Sequence, residues 1–140
     1  MKNETFEVTG LKGGYKDLYV WREAITFVPE VYAVVNTFPP HERHALGDQI
    51  RRAAISVPAN IAEGQARFYP REFMHHLRIA RGSLAELHTL IIIAEQIGYI
   101  TPQTFEELEE KIDAIARPLN RLLVIINRRL KAGDKTSDLL

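Results

Sequence analysis

The chain has 140 residues and a mass of 16.0 kDa, with 46% hydrophobic and 26% charged residues. Eighteen Lys and Arg offset eighteen Asp and Glu, and the absence of Cys excludes disulfide scaffolds, Cys-ligated zinc, iron–sulfur clusters and thiol catalysis. That length suits one domain, and zero net charge argues against a purely electrostatic DNA binder.

The opening MKNETFEVTGLKGGYK is polar and lacks the apolar core of a secretory signal, so residues 1–16 read as a disordered or extended tail. No apolar run approaches the ~20 residues of a membrane span, so a cytoplasmic protein with no membrane partner is expected. From residue 17 onward, apolar positions recur at spacings of three and four, the period of an amphipathic helix. The first helix, about 17–38, is expected to bury Leu18, Trp21, Ile25, Val28, Tyr32 and Val35, with Asp17 as its cap and Phe38-Pro39-Pro40 as its stop. The second, about 42–64, carries Leu46, Ile50, Ala53, Val57 and Asn60 on its seam and ends near Gly64.

The third helix, about 70–97, repeats 4-3-4-3-4-3 through Phe73, Leu77, Ala80, Leu84, Leu87, Ile91 and Ala94, and Gly98 closes it. The fourth, about 102–131, begins with Thr101 as cap and Pro102 at its first position. Its stripe is Phe105, Leu108, Ile112, Ile115, Leu119, Leu122 and Ile126. Residues 132–140 read as a flexible tail. Short connections and a sustained seam predict an all-α, antiparallel, up-down-up-down, left-handed four-helix bundle. Pro29, Pro58 and Pro118 lie inside three of these helices; each is expected to kink its helix within the packing, the alternative being a break into two pieces.

Apolar residues exceed what one core needs. Ile79, Leu90, Ile93 and Ile97 form a second stripe on helix three, while Leu123, Ile125 and Leu130 sit beside the seam of helix four. A subunit interface is expected at Ile79, Leu90, Ile93, Ile97, Leu123 and Leu130, the alternative being wide seams that fill the core. Polar residues also fall where helices two and three meet. Asn60 lies on a core seam and needs a partner, so Arg52, Asn60, Glu63, Arg81, Ser83 and Glu86 are expected to form a structural polar network that sets helix register.

These helices carry Asp17-Leu-x-Val-Trp21, Phe38-Pro39, Gln49-Ile-Arg-Arg-Ala-Ala54, Pro58-Ala-Asn-Ile-Ala-Glu-Gly64, Arg67 and Ala80-Arg-Gly-Ser-Leu-x-Glu-Leu87. Over roughly residues 17–130 the chain resembles the four helix bundle protein family, also called the ribosomal-RNA intervening-sequence protein family. The resemblance implies a homopentamer with no established enzymatic activity. A distant relative in fold, the accessory protein of diversity-generating retroelements, binds reverse transcriptase and nucleic acid through a basic surface. This chain departs from that relative in being neutral overall. It also has Phe68-Tyr69-Pro70 where polar capping residues are usual before helix three, so an apolar loop packed onto a neighbour is expected.

Catalytic chemistry finds no support in the residues, and neither cofactor nor metal is expected. A di-metal bundle site needs two Glu-x-x-His motifs. Glu72-Phe73-Met74-His75 is the single example, with Glu72 and His75 expected to point outward. His41, His44 and the His75-His76 pair read as solvated surface, and Ser56 and Ser83 lack the context of a nucleophile. Charge placement says more. Helix four is acidic at its start and basic at its end, at Arg117, Arg121, Arg128, Arg129 and Lys131. Those cations complement the helix dipole and are also candidates for binding RNA, DNA or a nucleic-acid-processing protein. The sequence thus points to a non-enzymatic homo-oligomeric interaction module, with an RNA- or DNA-binding accessory protein as the alternative.

Overall fold

The structure, a computed structural model, describes residues 14–137, with side chains through Gly133. Residues 1–13 and 138–140 of the expected tails lie outside the described residues. A 3-10 turn, Gly14–Asp17, precedes four long helices: α1 (Tyr19–Val35), α2 (Leu46–Ala66), α3 (Pro70–Ile97) and α4 (Pro102–Ser137). One further helical turn, Pro40–Arg43, lies between α1 and α2. The described residues contain no strand, and the fold is all-α.

Local chemistry explains the ends. The backbone N–H of Thr104 donates to Thr101 Oγ1 at 3.1 Å, which caps α4. Gly98 adopts φ 92°, and the N–H groups of Gly98 and Tyr99 donate to the carbonyls of Glu95 and Ala94, closing α3 through a left-handed residue. Asp17 does not cap α1; it lies in the 3-10 turn, and α1 is entered through Leu18 with no side-chain cap. Pro29, Pro58 and Pro118 each sit inside an unbroken helix, so packing offsets the ~3 kcal/mol each costs. The bounds of three helices differ from the sequence expectation: α1 stops at Val35, α2 begins at Leu46 after the separate Pro40–Arg43 turn, and α4 continues to Ser137.

α2 packs on α1 and α3, and α4 packs on the other sides of the same two helices. Contacts give the directions. Ser56 meets Ser83 while Asn60 meets His76, so α2 and α3 run oppositely. His88 meets Glu109 across α3 and α4, and Glu30 meets Lys111 across α1 and α4. Inside, Phe27, Phe38, Phe73, Ile61, Leu87 and Leu119 are almost wholly buried. Each such side chain contributes roughly 1.5–3 kcal/mol by leaving water. An enclosed apolar cavity between Val31, Ile50, Ile91 and Leu108 has a volume of about 10 Å3, too small for a ligand.

The first helix is rotated from its expected register. Val20, Ala24, Phe27, Val31 and Val35 face the core, whereas Ile25 and Tyr32 are exposed and Trp21 and Val28 are half-buried. Both rows have helical spacing. The row with Ala24 wins because the small side chain lets α1 approach its neighbours, and the bulkier row is left on the flank beside α2. Arg51 of α2 sits over the Tyr32 ring, 5.6 Å from its centroid, which places that flank.

Candidate functional site

The polar residues at the α2–α3 crossing form one connected chain. Asn60 Nδ2 donates to the Ser56 carbonyl at 2.9 Å and to Ser56 Oγ at 3.0 Å. That orientation leaves Asn60 Oδ1 to accept from His76 Nδ1, at 3.1 Å, so Nδ1 carries the proton. Ser56 Oγ and Ser83 Oγ lie 2.7 Å apart. Glu63 Oε2 stands 3.9 Å from His76 Nδ1, while Arg67 binds Glu63 Oε1 at 3.0 Å and reaches Glu72 at 3.5 Å. The Arg67 hydrogen bond holds the Glu63 carboxyl below its ordinary range, helped by the charge of His76.

Backbone geometry makes this crossing close. A Cβ built on Gly64 would lie 2.6 Å from His76 Cβ and 3.3 Å from Phe73 Cα, so only glycine lets α3 pass here. Asn60, Glu63 and Gly64 therefore have separate tasks within one α2 segment. No buried side-chain nitrogen or oxygen among the described residues lacks a partner. A satisfied, half-buried network of this kind specifies register; its serines stand beside no base.

Sequence reasoning placed Asn60, Glu63 and Ser83 here and missed Ser56 and His76. His76, expected on the surface, is only 9% exposed. The signal was spacing: Ser56, Asn60, Glu63 and Arg67 recur at four, three and four residues, and His76 and Ser83 are seven apart. Arg52, Arg81 and Glu86 do not join the network and are exposed. Arg81 lies only two residues from Ser83 and so projects from the opposite flank of α3. Glu72 is half-buried against Arg67, and His75 is exposed. No group of three or more His, Asp or Glu among the described residues is placed to hold a metal ion.

The expected interface residues divide. Ile79, Ile93 and Ile97 are exposed along α3, whereas Leu123 is buried in the core, and Leu90 and Leu130 pack partly against it. Leu123 lies four residues after Leu119 and three before Ile126, on the core stripe itself. The Phe68-Tyr69 turn is exposed on the single chain. Phe68 is 54% exposed at φ 73°, a left-handed conformation unusual for a non-glycine residue, and Tyr69 is 68% exposed.

Helix directions give the charges a pattern that composition conceals. The N-terminal end of α1, the C-terminal end of α2, the start of α3 and the end of α4 share one pole. Residues 14–26, 57–82 and 116–133, which make up that pole, contain eleven Lys and Arg against four Asp and Glu. Residues 28–56 and 84–115 at the opposite pole contain four against ten. The bundle therefore carries about +7 at one end and about −6 at the other. Of the α4 cations, Arg117 pairs with Asp113 at 2.8 Å; Arg121, Arg128 and Lys131 are exposed, and Arg129 is half-buried.

Among the described residues, no helix is long and apolar enough to cross a membrane. No curated protein matches the chain in sequence. A crystal structure at 1.70 Å resolution, of a protein with unknown function from the S23 ribosomal protein family of Bacteroides thetaiotaomicron, is similar in fold. It aligns with a TM-score of 0.70 and 20% identity, covering 74% of this chain and 97% of that one. The sequence match of the 23S rRNA-intervening sequence protein family runs over residues 16–121, spanning the 3-10 turn, α1 to α3 and half of α4. The chain belongs to the 23S rRNA-intervening sequence protein family.

Proposed function

We propose that the protein is a non-enzymatic helical module that works as a homo-oligomer, pentameric as the family resemblance implies. The observation that carries this reading is the pair of apolar rows left outside the bundle. Ile25 and Tyr32 stand on α1, and Ile79, Ile93 and Ile97 on α3, each between 38% and 54% exposed. Together they offer roughly 400 Å2 of apolar surface, which is what one head-to-tail interface takes from its two sides, about a quarter of the total buried in a standard stable interface. Burying it contributes up to about 10 kcal/mol before association costs.

Two different rows on one protomer favour head-to-tail contact, the α1 row of one copy against the α3 row of the next. Such contacts close into a ring when the rotation permits. Exposed Ala59 and Ala66 between the rows give α2 a low outer face. Multi-angle light scattering at micromolar protein tests this: the mass is expected at several times 16.0 kDa, and Ile93→Glu with Ile97→Glu is expected to bring it down to one chain. A wild-type monomer at ~50 μM overturns the proposal.

A further inference from the structure

The basic pole contains a groove between the first half of α3 and the second half of α4. Arg78 and Arg81 stand on one wall, Asn120 and Asn127 on the other, over a floor that includes Met74 and Leu123, with a volume of about 350 Å3. Both arginines are exposed, and neither has a carboxylate partner among the described residues. Arg128 and Lys131 continue the positive surface along the outside of α4. At the same end of α3, five and six residues before Met74, Tyr69 and Phe68 are exposed. The turn holds Phe68 there at φ 73°, a conformation glycine would adopt without cost.

We propose that this groove, together with the exposed aromatic turn at the start of α3, binds single-stranded nucleic acid. Arg78 and Arg81 contact successive phosphates, the Asn120 and Asn127 amides bond sugars or base edges, and the Phe68 and Tyr69 rings stack on unpaired bases. Guanidinium donors without carboxylate partners, with exposed π-faces at the same end of α3, are what a single strand needs and what a duplex, with its bases stacked inward, cannot use fully. From Tyr69 to Arg81 the site spans about 18 Å of helix, room for a short tract of nucleotides. It lies on the flank of α3 away from Ile79 and Ser83, so it does not rest on the oligomer reading: binding is expected from a monomer as well as from a ring.

Fluorescence anisotropy on the full chain tests the proposal with labelled 20-nucleotide single-stranded RNA and DNA, the same DNA as a duplex, and phosphatidylserine vesicles as competitor. Four phosphate-contacting cations give a log–log salt slope near −3, so affinity for either single strand is expected to fall roughly fiftyfold between 50 and 200 mM salt. Arg78→Glu with Arg81→Glu is expected to weaken binding at least tenfold and to flatten that slope. Phe68→Gly relieves the left-handed strain and is expected to melt no lower than wild type, yet to bind about fivefold or more weakly. No binding at 50 mM salt, tighter binding of the duplex, displacement of the strand by vesicles, or unchanged affinity in either variant overturns the proposal.

Discussion

Replacing Gly64 by Ala tests the α2–α3 crossing on which the polar network depends. The new Cβ lies 2.6 Å from His76 Cβ, whereas ordinary contact begins near 3.4 Å, so the helices must separate by about 0.8 Å. The obstructing atoms are a Cβ and the Phe73 Cα, which cannot swing aside. Overpacking of this kind costs about 1–3 kcal/mol. The same displacement stretches the 3.1 Å Asn60–His76 bond beyond hydrogen-bonding range, adding ~1 kcal/mol. Against this, Ala gains ~1 kcal/mol over Gly in a helix interior. The net expectation is a loss of about 1–3 kcal/mol. Gly82 is the internal control: it lies within α3 and its Cβ would meet nothing within 4 Å, so Gly82→Ala gains the ~1 kcal/mol alone. Urea unfolding followed by circular dichroism, at one fixed chain concentration, reads both. Opposite signs support the geometry; a Gly64→Ala protein as stable as wild type refutes the close crossing.

The network makes an asymmetric prediction as well. Asn60→Ala strands the nearly buried His76 Nδ1 and is expected to cost about 1–3 kcal/mol, whereas Ser56→Ala with Ser83→Ala removes both members of a pair and stays within about 1 kcal/mol of wild type by the same unfolding assay. Acid sensitivity follows from two carboxyls held below their ordinary values, Asp48 by Arg51 and Glu63 by Arg67. Both favour folding above their unfolded values near about pH 4, and that contribution is lost as the pH falls through the lower folded values. A pH series of melting temperatures is expected to drop below about pH 4 and to drop less steeply in Glu63→Gln. Gly98→Ala places a Cβ on a residue at φ 92°, and its melting temperature is expected to fall by the equivalent of about 1–2 kcal/mol.

How far the sequence was legible depended on competition between faces. On α3 the second apolar row is interrupted between Ile79 and Leu90, whereas Phe73, Leu77, Ala80, Leu84, Leu87, Ile91 and Ala94 repeat without a gap, so that stripe stood out, and all seven residues are buried. On α1 two apolar rows of equal period competed, and bulk favoured the wrong one. Close packing selected the row with Ala24, a preference that hydrophobicity alone does not express. Asn60 was visible because an amide on a seam needs a partner; His76 was not, because the His75-His76 pair among polar neighbours reads as surface. The groove lay beyond sequence reasoning for a different reason. Arg78 and Arg81 meet Asn120 and Asn127 only through the antiparallel packing of α3 on α4, at separations of about 40–50 residues in the chain.

The central claim is that copies of this chain join with the α1 row of one against the α3 row of the next. The absence of cysteine allows a direct measurement. Ile25→Cys and Ile79→Cys, which lie toward the same pole of the bundle, are introduced singly and together, and each protein is treated with a short bis-maleimide at micromolar concentration. Head-to-tail rings predict no covalent oligomer from either single variant, a dimer when the two are mixed, and from the double variant a ladder ending at five times 16.0 kDa. Dimers from a single variant alone, or no ladder from the double variant, would contradict the arrangement.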